Sequence, residues 1–130
     1  MTFEEKSKEA LESLEVLREN GKYNSCINRA YYSLYQKILH KLDILKLTDK
    51  VNNEFKNQKE KGSHEFTIDY YVNKEFAIKA KNKTQVIMVN TCAYSLKRLR
   101  HIADYEKDSI SEKDVSDAIK FIQQFNNLVK

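Results

Sequence analysis

Apolar positions recur along this chain every three or four residues, the interval at which side chains share one face of an α-helix. Phe3, Ser7, Ala10, Leu11, Leu14 and Leu17 form the first such stripe. Thr2 precedes it as a cap, with Glu5 at the distance of a capping box, and Asn20-Gly21 ends it with a left-handed turn. A second helix is predicted from about Asn24 to Leu45. Ile27, Tyr31, Leu34, Tyr35, Ile38, Leu42 and Leu45, flanked by Tyr32 and Leu39, give it an apolar arc wide enough to be covered on more than one side. Leu47 to Lys61 reads as a peripheral helix anchored by Leu47, Val51 and Phe55. Gly62-Ser63 breaks it, and a shorter helix from His64 to about Phe76 turns Phe66, Tyr70 and Ala77 inward. After the Lys-rich connection Lys79 to Lys83, a long helix runs from Thr84 to Lys107. Ser111, with Asp114, caps a closing helix whose inner face is Val115, Ala118, Ile119, Ile122, Phe125 and Val129.

Composition sharpens this picture. The 130 residues contain no proline and two glycines, Gly21 and Gly62, so the turn-rich β architectures are excluded. The expectation is a single all-α domain over residues 1–130, an antiparallel up-and-down bundle of five or six helices. The net charge is +4, from 23 basic and 19 acidic residues. That mild excess is compatible with nucleic-acid or nucleotide binding without requiring it. No apolar run approaches the roughly 18 residues of a membrane span, and no signal peptide opens the chain. Cys26 and Cys92 fall inside helical patterns, as reduced core thiols of a cytoplasmic protein do.

Chemistry is concentrated in three places. In the long helix Val89, Ala93, Leu96 and Ala103 share a face, and Arg100 projects from its middle with Asp104 one turn on. Charge among aliphatic side chains is costly unless it is paired or used. Arg100 and Asp104 therefore either form a structural pair that ties this helix to a tyrosine of the second, or make a phosphate- or carboxylate-binding fork, with Tyr105 and His101 close by. The second place is Asn28 to Tyr35. Its aromatic ladder suits a core, while Asn28 and Tyr32 on its flank suit a polar cleft facing Arg100. The third is His64, just after the glycine break. The three histidines are too scattered for a metal centre, and no glycine-rich phosphate loop, nucleophile elbow or paired-cysteine motif occurs. Neither a metal nor a cofactor is expected.

Taken together, Asn28-Arg29-Ala30-Tyr31-Tyr32-Ser33-Leu34-Tyr35, Gly62-Ser63-His64, Leu99-Arg100-His101-Ile102-Ala103-Asp104-Tyr105 and the closing helix Ser111 to Phe125 resemble the HEPN family in order and spacing. The long-helix segment is similar to the Arg-x-x-Ala-Asp-Tyr signature of one branch. The resemblance implies a helical bundle, a homodimer with its cleft at the subunit junction, and work on RNA or nucleotides in toxin–antitoxin or antiviral defence. A cognate antitoxin or nucleotidyltransferase is the implied partner. Many members are metal-independent ribonucleases that use an arginine followed four to six residues later by a histidine. Here Tyr105 stands where that histidine is sought. Imidazole suits proton transfer near neutral pH and tyrosine does not. The primary expectation is therefore a binding or regulatory protein, its ligand held by Asn28, Tyr32, Arg100, His101 and Asp104. The alternatives are an endoribonuclease toxin using Arg100 with His64 or His101, aided by Asp104 and Tyr105, and a purely structural helical adaptor.

Overall fold

A computed structural model describes residues 1–107 and 109–130. Among them the regular structure is helical throughout: α1 (Phe3–Glu19), α2 (Tyr23–Ile44), α3 (Thr48–Lys56), α4 (Ser63–Tyr70), a π-helical stretch (Tyr71–Phe76), α5 (Ala77–Lys79), α6 (Lys83–Tyr105) and α7 (Glu112–Leu128). Because α4, the π stretch and α5 follow one another without a break, the described chain forms six helical rods.

The punctuation predicted from sequence is formed. Thr2 and Glu5 exchange backbone-to-side-chain hydrogen bonds at the start of α1, as Ser111 and Asp114 do at α7. Gly21, at φ 69°, ends α1 while Lys22 N–H reaches back to Leu17 O at 2.9 Å. At the end of α2 the same turn is made by Lys46, at φ 58°, with Leu47 N–H on Leu42 O.

Two boundaries differ by more than a turn of helix from the sequence expectation, and the long helix stops at Tyr105 rather than Lys107. The peripheral helix stops at Lys56 rather than Lys61. Phe55 is its last anchor, and the Gln58 amide then holds a loop by donating to the carbonyls of Phe55 and Lys61 and accepting from Lys61 N–H. Downstream, the expected α-helix to Phe76 opens into π turns. Tyr70, Tyr71 and Val72 are consecutive and all buried, more than one side of an α-helix can hide, and the wider turn still brings Phe76 inward.

Side-chain contacts fix the directions of the rods. Cys26 Sγ donates to Leu14 O near the α1–α2 turn, and Ser7 meets Ser33 farther from it, so α1 and α2 are antiparallel. Arg18, at the end of α1, bonds Ser116 near the start of α7, while Lys37 of α2 reaches Asn126 near the end of α7. Helix α7 thus runs against α1 and alongside α2. Cys92 and Gln124, about equally far from the α6–α7 connection, meet at 3.4 Å, so those two helices are also antiparallel. The wide arc of α2 makes it the central helix. Its Ile27, Leu34, Ile38 and Leu42 are sealed by Leu14, by Val89, Cys92 and Leu96 of α6, and by Val115, Ile122 and Phe125 of α7. The α3–α5 excursion closes the remaining side with Val51, Ile68, Val72 and Phe76. No helix is long and apolar enough to cross a membrane among the described residues.

Candidate functional site

Three elements meet at the midpoint of α2. Tyr31, Tyr32 and Tyr35 lie within little more than one turn there, so their rings fan across the side facing α4 and α6. His64, in the first turn of α4, is laid into that fan. Its ring stacks on Tyr35 at 4.1 Å between centroids and meets Tyr32 edge-on at 6.5 Å. Its Nδ1 lies 3.2 Å from the Tyr31 hydroxyl. From α6, Arg100 brings its guanidinium carbon to 4.8 Å from the Tyr31 ring centroid, a cation–π distance. Residues distant in sequence thereby converge on one phenol.

Asp104 completes the group incompletely. Its Oδ2 is 3.4 Å from Arg100 Nε, and the two side chains are 26% and 27% exposed. This is an ion pair at the rim of the core rather than inside it. Despite the proximity, the Nε–H makes no hydrogen bond and is itself buried, so a charged donor remains unsatisfied. Protonation states follow from burial. Loss of water pushes the Tyr31 hydroxyl up to about 12 against the opposing charge of Arg100. Burial, reinforced by the same guanidinium, pushes His64 below the ordinary histidine value. At neutral pH the arrangement is therefore a fixed cation, a protonated phenol and a neutral imidazole. That set can hold an anion and accept a proton.

Other predicted site residues lie apart from this convergence. His101 and Tyr105 pack against each other at 5.2 Å on the outer face of α6, with Tyr105 75% exposed. One residue of helix separates His101 from Arg100 and turns it about 100° away. Asn28 is half-buried one turn before Tyr31 and Tyr32, and its side chain makes no hydrogen bond among the described residues. Tyr32 borders the convergence and also carries the Arg29 guanidinium at 4.9 Å. A surface cleft of about 450 Å³ lies farther back along α6 between Ile68, Ile87 and Tyr94, and neither Arg100 nor His64 lines it. Among the described residues, no three His, Cys, Asp or Glu side chains are grouped as a metal site would require.

Sequence reasoning gave Tyr31 and Tyr35 to the core, yet they hold both His64 and Arg100. The available signal was the density of hydroxyls: three tyrosines in five positions exceed what an apolar face needs, and a buried phenol seeks a partner. Comparison with known protein families, curated proteins and solved structures finds no match to this chain.

Proposed function

We propose that this is a HEPN-like protein that binds RNA or nucleotides at the junction of α2, α4 and α6. Arg100 contacts phosphate there, Asp104 positions the guanidinium, and the packed rings of Tyr32 and His64 border the bound group. The observation carrying this reading is the joint arrival of Arg100 and His64 on Tyr31, with a buried guanidinium N–H still lacking an acceptor. Asn28 extends the polar margin along α2. On this reading the protein works as a homodimer in a prokaryotic toxin–antitoxin or antiviral defence system, opposite a cognate antitoxin or nucleotidyltransferase. Support for that setting comes from the sequence resemblance.

One observation favours a second reading, metal-independent RNA cleavage. His64 is a neutral imidazole beside a fixed cation, the pairing needed to take the 2′-hydroxyl proton while the charge of the scissile phosphate is held. His101 and Tyr105, turned outward, are poorly placed for that role in the same chain. Incubation of the purified protein with RNA in EDTA separates the two readings. Binding without cleavage, lost in Arg100→Ala, supports the first. Cleavage lost in both Arg100→Ala and His64→Gln supports the second. If neither binding nor cleavage is detected and Arg100→Ala only lowers thermal stability, the pair is structural.

A further inference from the structure

On another face of α2, turned about 120° from Tyr31, a cleft of about 250 Å³ opens between α1, α2 and the last turn of α7. Lys8, Lys37, His40, Lys41 and Lys130 line it, with Glu4 as the carboxylate among the lining side chains. That carboxylate is already shared. One of its oxygens lies 3.6 Å from Lys8 Nζ and the other 3.6 Å from His40 Nε2. Lys37 and Lys41 have no carboxylate at ion-pair distance among the described residues. Lys37 Nζ instead donates to neutral oxygens, the Asn126 side-chain amide at 3.0 Å and the Asn126 main-chain carbonyl at 3.5 Å. Capping the negative end of α7 accounts for Lys37. It does not account for placing Lys41 one turn away on the same stripe, where like charges repel. Burial lowers the proton affinity of both amines, followed by Lys41 at Lys37 and by Lys79 at Lys41, with Glu4 opposing at each, and Lys37 is brought to about 8.

We propose that this cleft binds a terminal phosphate monoester. Several lysine ammoniums around a partly enclosed space match the multiple charges and spread acceptors of a phosphate, whereas a single carboxylate would leave one lysine uncompensated. Leu11 supplies a short apolar wall and the half-buried His40 imidazole is turned to Glu4, so the space offers no wide stacking surface and recognition centres on the phosphate and its nearest carbons. The site is separate from the Arg100 junction and stands whether or not that junction binds RNA.

The test is a titration of the full chain with pyrophosphate as the probe, read on the lysine side-chain signals by NMR. Saturable shifts at Lys37 and Lys41 are expected. Lys37→Met and Lys41→Met should each weaken binding about tenfold, the loss of one charge-assisted hydrogen bond, and Arg100→Ala should leave it unchanged. Lys41 caps no helix, so its variant remains informative if Lys37→Met disturbs α7. Competition by ribose 5-phosphate and by a 5′-phosphorylated oligonucleotide, compared with its 5′-hydroxyl form, distinguishes a small metabolite from a nucleic-acid end as the source of the phosphate. Absence of saturation at both lysines overturns the proposal, as does binding lost in Arg100→Ala but kept in both lysine variants.

Discussion

Helix α2 buries polar groups against two neighbours and treats them differently. Toward α1, Ser7 and Ser33 close on each other. Ser7 Oγ donates to Ser33 O at 2.7 Å, Ser33 Oγ donates to Ser7 O at 2.9 Å, and both residues are under a tenth exposed. Small side chains allow the backbones to approach, and each hydroxyl proton is consumed in the seam. Toward α4 and α6, Arg100, Asp104, Tyr31 and His64 are larger, about a quarter open at the charged pair, and leave one buried N–H unmatched. A polar junction that serves packing alone is expected to be closed and satisfied. Gln36 Oε1, beside α1, is also buried without a partner, but it is neutral. The second junction leaves a charged donor unmatched at an open rim, which is the physical reason to look there for a ligand.

The widest separation between the two junctions should come from Arg100→Ala. RNA affinity is expected to fall about 10- to 100-fold, the worth of one hydrogen bond to a charged group. Stability should change by less than about 1 kcal/mol, because a rim pair gains little from its Coulomb attraction. Calorimetry alongside a binding assay checks both halves. A stability loss of about 3–5 kcal/mol, the cost of breaking a buried pair, would place this junction in the same class as the serine seam.

The reciprocal experiment cuts the seam. Ser7→Ala and Ser33→Ala should each lower stability by about 1–2 kcal/mol, the usual cost of removing one partner of a buried hydrogen bond. Denaturant midpoints would report it, with RNA affinity unaltered. Impaired binding in either variant would mean that the two sides of α2 are coupled, and the contrast drawn between them would fail.

A subtler difference lies in pH. The serines do not titrate in the accessible range, whereas His64 does, with its folded value depressed chiefly by burial and then by Arg100. As pH falls below about 6.5, the unfolded chain takes up a proton that the folded protein still refuses. Stability that is full above this window is therefore lost through it, until the folded value is passed. His64→Gln should flatten the profile of melting temperature between neutral and mildly acidic pH. An unchanged profile would show that His64 is not held neutral in the fold.

Much of this architecture was readable from residue spacing, since helix period, capping boxes and the Asn20-Gly21 stop are local signals. Arg100 and Asp104 were also legible, because charge on an apolar stripe stands out within a single helix. The docking of His64 on Tyr31 was not. It depends on where the α3–α4 excursion folds back, and hence on the early stop at Lys56 and the Gln58 loop, neither of which has a periodic signature. His101 and Tyr105 neighbour Arg100 in sequence, but helix period alone turns them about 100° and about 140° from it, an offset already legible from spacing. The basic cleft has no signature in sequence, because a lysine within a helix reads as solvated surface and only the docking of α1 and α7 on α2 encloses Lys37 and Lys41.

The smallest predicted effect is a control on the whole comparison. Lys46 holds φ 58° at the end of α2, a conformation that costs a side chain with a Cβ about 1 kcal/mol. Glycine at the equivalent turn after α1 avoids that cost, so Lys46→Gly should stabilise the protein by up to about 0.5 kcal/mol once the greater freedom of unfolded glycine is offset. The change touches neither the serine seam nor the tyrosine fan. A rise in melting temperature with unchanged RNA affinity would show that stability and ligand binding vary independently here, and that independence is what allows the Arg100 and Ser33 variants to be read as probes of separate junctions.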